Sequence, residues 1–241
     1  MHPRFFLVTL LATLLAAGHA AAQHDHGSDH PDIEVELDGL DIGTHPEGVN
    51  LFASHDNYGF TKPTTTWRAT FPGFEGENLG ANRTFNLVAL GNLFEYDDAQ
   101  PDGSKFVAAT DEFLRIVNTS LNQVDVTGAS SGEQALPDGV GTTDGTGDLH
   151  AHPVFQLRTT SLVGDPDDGA YLLQFKITSA GLNDSDPLWV LFHKGLDDLT
   201  YDTAIHEAED QFGLTVIPEP ATFAVIGLAG AAALARRLRV A

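Results

Sequence analysis

The chain has 241 residues, and its 34 aspartates and glutamates against 12 lysines and arginines give a formal charge of −22 at pH 7. A surface of this sign repels nucleic acid and anionic lipid and attracts cations. The chain contains no cysteine, which excludes disulfide bonds and thiolate metal sites and leaves imidazole and carboxylate as donors for a transition metal.

The first 22 residues have the pattern of a secretory signal peptide. Arg4 gives a positive start, residues 5–17 are apolar, and alanines at 20–22 provide a small-residue cleavage site. A membrane anchor is the alternative, but the apolar run is shorter than the ~20 residues that a spanning helix needs. We therefore predict that residues 1–22 form a signal helix and that the chain is exported.

A segment rich in histidine and aspartate, residues 23–32, follows the predicted leader and contains the run HDHGSDH. Its imidazoles belong to His24, His26 and His30. Short His-rich tracts bind zinc, copper or nickel through neutral imidazoles, but a mobile tract loses entropy when it binds. The segment therefore suits metal capture or hand-over rather than catalysis, and a polar linker that binds nothing is the alternative.

Residues 33–216 contain short β-like runs bounded by Gly, Pro, Asn and Asp, which predicts one β-sandwich domain. The predicted strands cover residues 33–37, 48–54, 65–71, 84–96, 105–110, 112–118, 123–128, 154–161, 170–178 and 187–195. Alternation is clearest in residues 171–177, where Tyr171, Leu173, Phe175 and Ile177 share one face. The expected fold class is all-β, an antiparallel β-sandwich of the jelly-roll or Ig-like type.

Three Asp-rich turns, residues 96–104, 142–148 and 165–169, offer oxygen donors that could hold calcium. None of them matches an EF-hand loop, and Asp is also a common turn residue in its own right. Calcium is therefore a second candidate ion, with ordinary turn chemistry as the alternative reading of these aspartates.

The sharpest motif is GDLHAHP, residues 147–153, which contains His150 and His152. If the strand that begins at residue 154 is extended backwards, both histidines fall on the same face as Gln156. Same-face residues lie about 6.5 Å apart along a strand, and two imidazoles at that spacing can turn towards one ion. The motif therefore predicts a two-histidine metal clamp, and a polar strand start that binds nothing is the alternative.

This clamp lacks at least one ligand. The histidines considered as third donors are His30, His45, His55 and His193. His55 follows a predicted strand at a turn, where it could act as a loop ligand. His193 lies in phase with Trp189 and Leu191, so a histidine buried in the core is the alternative there.

One short helix is predicted near the C-terminus, over residues 201–212, with Asp202 as its N-cap. His206 lies one helical turn from Glu209 and Asp210. This spacing indicates a solvated helix face, with a weak metal site as the alternative.

The sequence contains no GxSxG, P-loop, HExxH or dinucleotide-binding motif. It also offers no persuasive pair of acid and base residues for catalysis. We therefore predict that the protein is not an enzyme.

The C-terminal segment, residues 217–241, has three parts in a fixed order. Pro218, Glu219 and Pro220 come first, residues 221–235 are apolar, and three arginines follow. This resembles the PEP-CTERM sorting signal of bacterial envelope proteins. The resemblance implies an apolar sorting helix that an exosortase-type membrane enzyme recognises and removes, and the terminal arginines favour a cytoplasmic position for that end.

Four further stretches occur in a characteristic order: HPDIEV at 30–35, GDLHAHPVFQL at 147–157, GAYLLQFKIT at 169–178 and SDPLWVLFHKGLDD at 185–198. Together they are similar to the zinc-regulated (Zur-repressed) PEP-CTERM surface proteins of bacteria, and to related surface-anchored domains beside metal-uptake transporters. The resemblance implies a β-rich envelope protein made when zinc is scarce. It also implies that His150 and His152 are metal ligands, with His24, His26 and His30 as an accessory tract.

The sequence as a whole predicts an exported, sorted envelope protein that binds a divalent metal, zinc first, in metal acquisition or storage. Its expected location is the cell surface or extracellular matrix. The expected partners are the exosortase-type enzyme and either a metal-uptake transporter or an extracellular polysaccharide, and not nucleic acid. The alternatives are an acidic biofilm matrix protein, a calcium-dependent carbohydrate-binding module and a hydrolytic metalloenzyme.

Overall fold

Short strands joined by turns form most of the fold in the computed structural model, which describes residues 32–45 and 49–216. The strands are β1 Ile33–Asp38, β2 Asp41–His45, β3 Leu51–Ala53, β4 Trp67–Ala69, β5 Phe74–Gly76, β6 Thr84–Tyr96, β7 Phe106–Ala108, β8 Glu112–Val117, β9 Gln123–Thr127, β10 Glu133–Ala135, β11 Gly141–Thr142, β12 Leu149–Ala151, β13 Val154–Thr159, β14 Gly169–Ser179 and β15 Leu188–Lys194, and the helix is α1 Asp198–Phe212. The prediction of a β-rich domain with one helix near its C-terminus is confirmed. The predicted signal and sorting helices, with His24, His26, His30, Pro218, Glu219 and Pro220, lie outside the described residues.

The strands form three sheets in a sandwich-like arrangement. The first sheet has the order β12-β5-β1-β2, and the third has the order β4-β13-β8-β9. The second has the order β10-β6-β14-β15-β3, with β7 and β11 also paired to β6. Two pairs, β1 with β5 and β15 with β3, are parallel, so the sheets are mixed and the prediction of an antiparallel sandwich holds only for the other strand pairs. Long stretches of chain separate the members of each parallel pair, as a parallel connection requires.

One large apolar core joins the three sheets. It contains Ile33 of the first sheet, Phe175 of the second and Phe155 of the third, all fully buried. The residues predicted to share a face of β14 all belong to this core: Tyr171, Leu173, Phe175 and Ile177. The period-two pattern of that strand therefore identified its inward face correctly.

A second, smaller core lies between the other face of the second sheet and α1. Leu172 and Leu191 of the sheet pack with Tyr201, Ala204 and Ala208 of the helix. The spacing of these three helical residues places them on one side of α1. Because the large core covers one face of the second sheet and α1 covers the other, every residue of β15 is buried.

The helix begins earlier than the sequence pattern predicts. Asp197 is the N-cap, because its side chain accepts a hydrogen bond of 2.8 Å from the backbone N–H of Thr200. The predicted cap, Asp202, instead lies inside the helix. The helix ends at Gly213, which adopts a left-handed φ of 66° that glycine tolerates without steric cost. Within residues 32–45 and 49–216, no helix has both the length and the hydropathy needed to cross a membrane.

The chain changes sheets between β12 and β13. The first of these strands belongs to the first sheet and the second to the third sheet, so the prediction of one strand through His150, His152 and Gln156 is wrong. Pro153 lies between the two strands, and it lacks the N–H that would continue a sheet ladder. The break leaves His152 beside the start of β1.

Candidate metal centre

His150 and His152 lie side by side at the edge of the first sheet. His150 is the middle residue of β12 and faces outwards, because its neighbours Leu149 and Ala151 are buried. The Nε2 atoms of the two histidines are 3.2 Å apart, and their ring centroids are 4.8 Å apart. The structure therefore brings together the two residues that the HxH spacing singled out.

Asp32 supplies a third donor atom to this pair. It directly precedes β1, and the parallel pairing of β1 with β5 places it next to Gly73, whose N–H donates to its Oδ1 at 2.8 Å. Its Oδ2 lies 3.4 Å from Nε2 of His152. One ligand atom each from Asp32, His150 and His152 lies within 4.8 Å of the others, so this group could hold a metal ion.

Two of the three separations between these atoms match those around a bound ion. Ligand atoms ~2.05 Å from a tetrahedral zinc ion are ~3.3 Å from one another. The nitrogen–nitrogen separation is 3.2 Å and the nitrogen–oxygen separation is 3.4 Å. The third pair, Asp32 and His150, lies within 4.8 Å, so a modest side-chain movement would bring all three atoms onto one ion.

The backbone at Thr70 orients the ring of His152. Nδ1 of His152 lies 3.4 Å from the Thr70 carbonyl oxygen, and an N–H at Nδ1 would donate to it. That tautomer leaves the lone pair of Nε2 free to bind a metal, which is the usual arrangement for metal-binding histidines. The ring of Phe71 meets the imidazole edge to face at a centroid distance of 5.7 Å. The ring therefore has contacts on two sides that favour a ligating orientation.

Gly73 allows the carboxylate and the imidazole to approach the same stretch of backbone. A Cβ atom at position 73 would lie 2.5 Å from Nδ1 of His152 and 2.7 Å from Oδ1 of Asp32. Both distances are far below van der Waals contact. The group of donors therefore requires glycine at this position.

The carboxylate of Asp32 is almost completely removed from water. Only 1% of its side chain is exposed, against 31% for His152. Burial raises the pKa of the nearby Tyr58 phenol, and the negative charge of Asp32 raises it further. A buried carboxylate is costly unless positive charge lies against it, and a divalent ion or a protonated imidazole beside Asp32 would balance it.

His55 and His193, both predicted as third ligands, lie together in a different group of residues. Their rings stack with centroids 4.4 Å apart and an angle of 15°. Nε2 of His55 lies 3.0 Å from the Leu196 carbonyl oxygen, and its Nδ1 lies 3.0 Å from Oδ1 of Asp198. Nε2 of His193 donates to the His55 carbonyl oxygen at 2.8 Å.

His193 therefore has the core position that was the alternative to a ligand role. It is 7% exposed, and burial lowers its pKa and so favours the neutral ring. In the part of the chain that the structure describes, the donors within 4.8 Å of one another are Asp32, His150 and His152. The side chain that lies near His150 and His152 is therefore that of Asp32, and not that of His55 or His193.

The other two histidines considered from the sequence are in β2 and α1. The backbone of His45 pairs with that of Glu34 between β2 and β1. His206 is exposed on α1, with its Nδ1 3.1 Å from Oε2 of Glu209. The exposed position of His206 next to Glu209 agrees with the solvated helix face that the spacing of these residues indicated.

The carboxylates of the Asp-rich turns have partners within the chain. Hydrogen bonds from the Thr146 hydroxyl and from the backbone N–H groups of residues 146–148 lower the pKa of Asp144 to about 2. The other two turns place carboxylates against lysines: Asp98 with Lys105, Asp165 with Lys62, and Asp168 with Lys194. These contacts correspond to ordinary turn chemistry and ion pairing.

Asp32 is the donor that the sequence interpretation missed. The sequence pattern places Asp32 in the His- and Asp-rich segment 23–32, although this residue directly precedes the buried first residue of β1. An acidic residue at the start of a strand is by itself only weak evidence for a metal ligand. Its position beside His152 results from the pairing of residues 33 and 74, which no local pattern reveals.

Comparison with known proteins adds no further constraint on this site. No protein-family model and no curated protein matches the chain.

Proposed function

We propose that this chain is an exported envelope protein that binds one divalent metal ion, zinc first, through Asp32, His150 and His152. One observation carries the proposal. A carboxylate that is 1% exposed lies 3.4 Å from Nε2 of His152, which is itself 3.2 Å from Nε2 of His150. This combination pairs a buried negative charge with neutral nitrogen donors at the spacing of a coordinated ion.

The donor set supports zinc over the other candidate ions. Imidazole suits zinc, copper, iron and nickel, whereas calcium prefers six or more oxygen ligands. The group contains two nitrogen donors and one carboxylate. In the Asp-rich turns, carboxylates accept hydrogen bonds within the turn or form ion pairs with lysines. Calcium is therefore the weaker candidate at this site.

The cellular part of the proposal depends on the two terminal segments. The signal-like leader and the Pro218-Glu219-Pro220 segment support export and exosortase-dependent sorting to the cell surface. The resemblance to zinc-regulated surface proteins supports acquisition or storage of the ion, rather than its use in catalysis. Within this proposal the domain is a jelly-roll or Ig-like sandwich that presents the site at one sheet edge.

Isothermal titration of the purified chain with zinc tests the proposal. The double variant His150→Ala/His152→Ala should lose one zinc equivalent and the tightest phase of binding. His206→Ala, which removes an exposed histidine on α1, should titrate like the wild type. Wild-type affinity and stoichiometry in the double variant would contradict the proposed site, and protein isolated from its own host without metal would favour the matrix alternative.

A further inference from the structure

The strand register places an additional carboxylate next to the candidate metal centre. In the antiparallel pair β12–β5, His150 lies directly opposite Glu75. Directly opposite residues point to the same face, with Cβ atoms about 5 Å apart. Glu75 therefore stands beside His150 on the outer face of the first sheet, within the reach of a glutamate side chain.

Glu75 also has an unfavourable neighbour on its other side. In the parallel pair β1–β5, Glu34 is its register partner, and like charges directly opposite each other destabilise a sheet. Among the described residues, no hydrogen bond or ion pair involves the side-chain carboxylate of Glu75. A cation bound between Glu75 and His150 would relieve this repulsion.

We propose that Glu75 is the fourth ligand of the ion held by Asp32, His150 and His152; this inference rests on the proposed metal-binding function. The carboxylate lies outside the group of donors within 4.8 Å, and a change of rotamer brings it in. Two carboxylates and two neutral imidazoles then balance the charge of a divalent ion, which suits a site with one buried carboxylate. Such a mixed set favours Zn²⁺, Fe²⁺ or Mn²⁺ over Cu⁺.

Glu34 provides a matched control for this proposal. It is the same residue type, lies on the same face of the same sheet and is similarly half-buried. It stands one strand further from His150, at about 10 Å, because neighbouring strands are about 4.8 Å apart. Glu34 shares the local negative charge of Glu75, but Glu75 stands between it and His150 and is therefore the carboxylate next to that ring.

The test is titration of the full chain with Co²⁺, followed by displacement with Zn²⁺, in four proteins: wild type, Glu75→Gln, Glu34→Gln and His150→Ala/His152→Ala. We expect Glu75→Gln to weaken binding by about tenfold or more and to change the visible spectrum of bound Co²⁺, which reports its ligand geometry. Glu34→Gln should stay within about twofold of the wild type, with an unchanged spectrum. Glu75→Asp, which keeps the charge but shortens the side chain, should give intermediate affinity.

The outcomes separate this inference from the function on which it depends. If the double histidine variant loses binding while Glu75→Gln and Glu34→Gln both match the wild type in affinity and spectrum, Glu75 is not a ligand and the three-donor site stands. If the double variant binds like the wild type, or if the wild type binds neither ion, the metal-binding function fails and this inference fails with it. Circular dichroism of each variant checks that the sheet has formed.

Discussion

At the scale of single residues, the candidate site depends on two details: which ring nitrogen of His152 carries the proton, and the lack of a Cβ atom at Gly73. An N–H at Nδ1 of His152, donated to the Thr70 carbonyl oxygen, would leave Nε2 as the atom with a free lone pair. At Gly73, the lack of a side chain lets the His152 ring and the Asp32 carboxylate approach the same backbone. Neither contact changes the chemical identity of a ligand. The contact with Thr70 and the close approach at Gly73 instead affect whether the ligand atoms can point towards one ion.

Replacement of Gly73 by alanine should therefore damage the site without removing a donor. The added Cβ would lie 2.5 Å from the His152 ring, so the ring or the backbone must move. We expect a loss of at least about tenfold in zinc affinity and of about 1–3 kcal/mol in the free energy of unfolding. Competition with a zinc-binding dye and urea denaturation measure the two effects.

Gly43→Ala is the control for this substitution. Gly43 lies on β2 of the same sheet, and a Cβ there would meet nothing within 4 Å. The Gly43→Ala variant should bind zinc with wild-type affinity, and its free energy of unfolding should change by less than about 0.5 kcal/mol. Equal behaviour of the two alanine variants would show that the close approach at Gly73 does not support the site.

At the scale of secondary-structure elements, the length of a strand decides how well its pattern could be interpreted. The long strands β6 and β14 carry enough alternating residues to predict both their bounds and the inward face of β14. The two- and three-residue strands β5, β10, β11 and β12 are too short to show a period. His150 and His152 could be predicted because they are close in sequence. Asp32 could not, because its place depends on the non-local pairing of β1 with β5.

The start of α1 allows a direct comparison of the observed cap with the predicted one. The carboxylate of Asp197 accepts the N–H of Thr200 at 2.8 Å, whereas Asp202 is an exposed residue within the helix. We expect Asp197→Ala to lower the free energy of unfolding by about 1 kcal/mol. Asp202→Ala should change it by less than about 0.5 kcal/mol. Thermal and urea denaturation of the two variants give the comparison, and a larger effect at Asp202 would argue against the assigned helix start.

At the scale of the whole molecule, a half-buried and a buried acidic residue lie together between the second and third sheets. Glu95 lies on β6 and Glu112, which is 4% exposed, lies on β8. Burial, with the negative charge of Glu112 next, raises the pKa of Glu95 from 4.5 to about 7. Burial also raises the pKa of Glu112. The contact between the two sheets is therefore sensitive to protonation.

The sign of the resulting pH dependence follows from linkage. A carboxyl group with a raised pKa in the folded state binds its proton more tightly there than in the unfolded chain. The stabilisation from Glu95 is therefore full below pH 4.5 and is lost as the pH rises through about 7. Glu95→Gln removes this dependence, so the stability of the variant relative to the wild type should increase as the pH rises from 4.5 through about 7, the window set by those two values.

Urea denaturation at several pH values measures this difference. Glu77→Gln, at an exposed position, is the control and should follow the wild-type profile across the range. Parallel profiles for Glu95→Gln and the wild type would show that Glu95 does not couple protonation to folding.

The candidate metal centre joins Asp32 to His150 and His152, which lie about 120 residues further along the chain. In a protein with no cysteine, an ion at that point would act as a removable crosslink that closes most of the domain into one loop. Closing a loop of this length restricts the unfolded chain by an amount comparable to a disulfide, on the order of 4–5 kcal/mol in the chain-entropy estimate. Resistance of the domain to proteases would then follow the supply of metal around it.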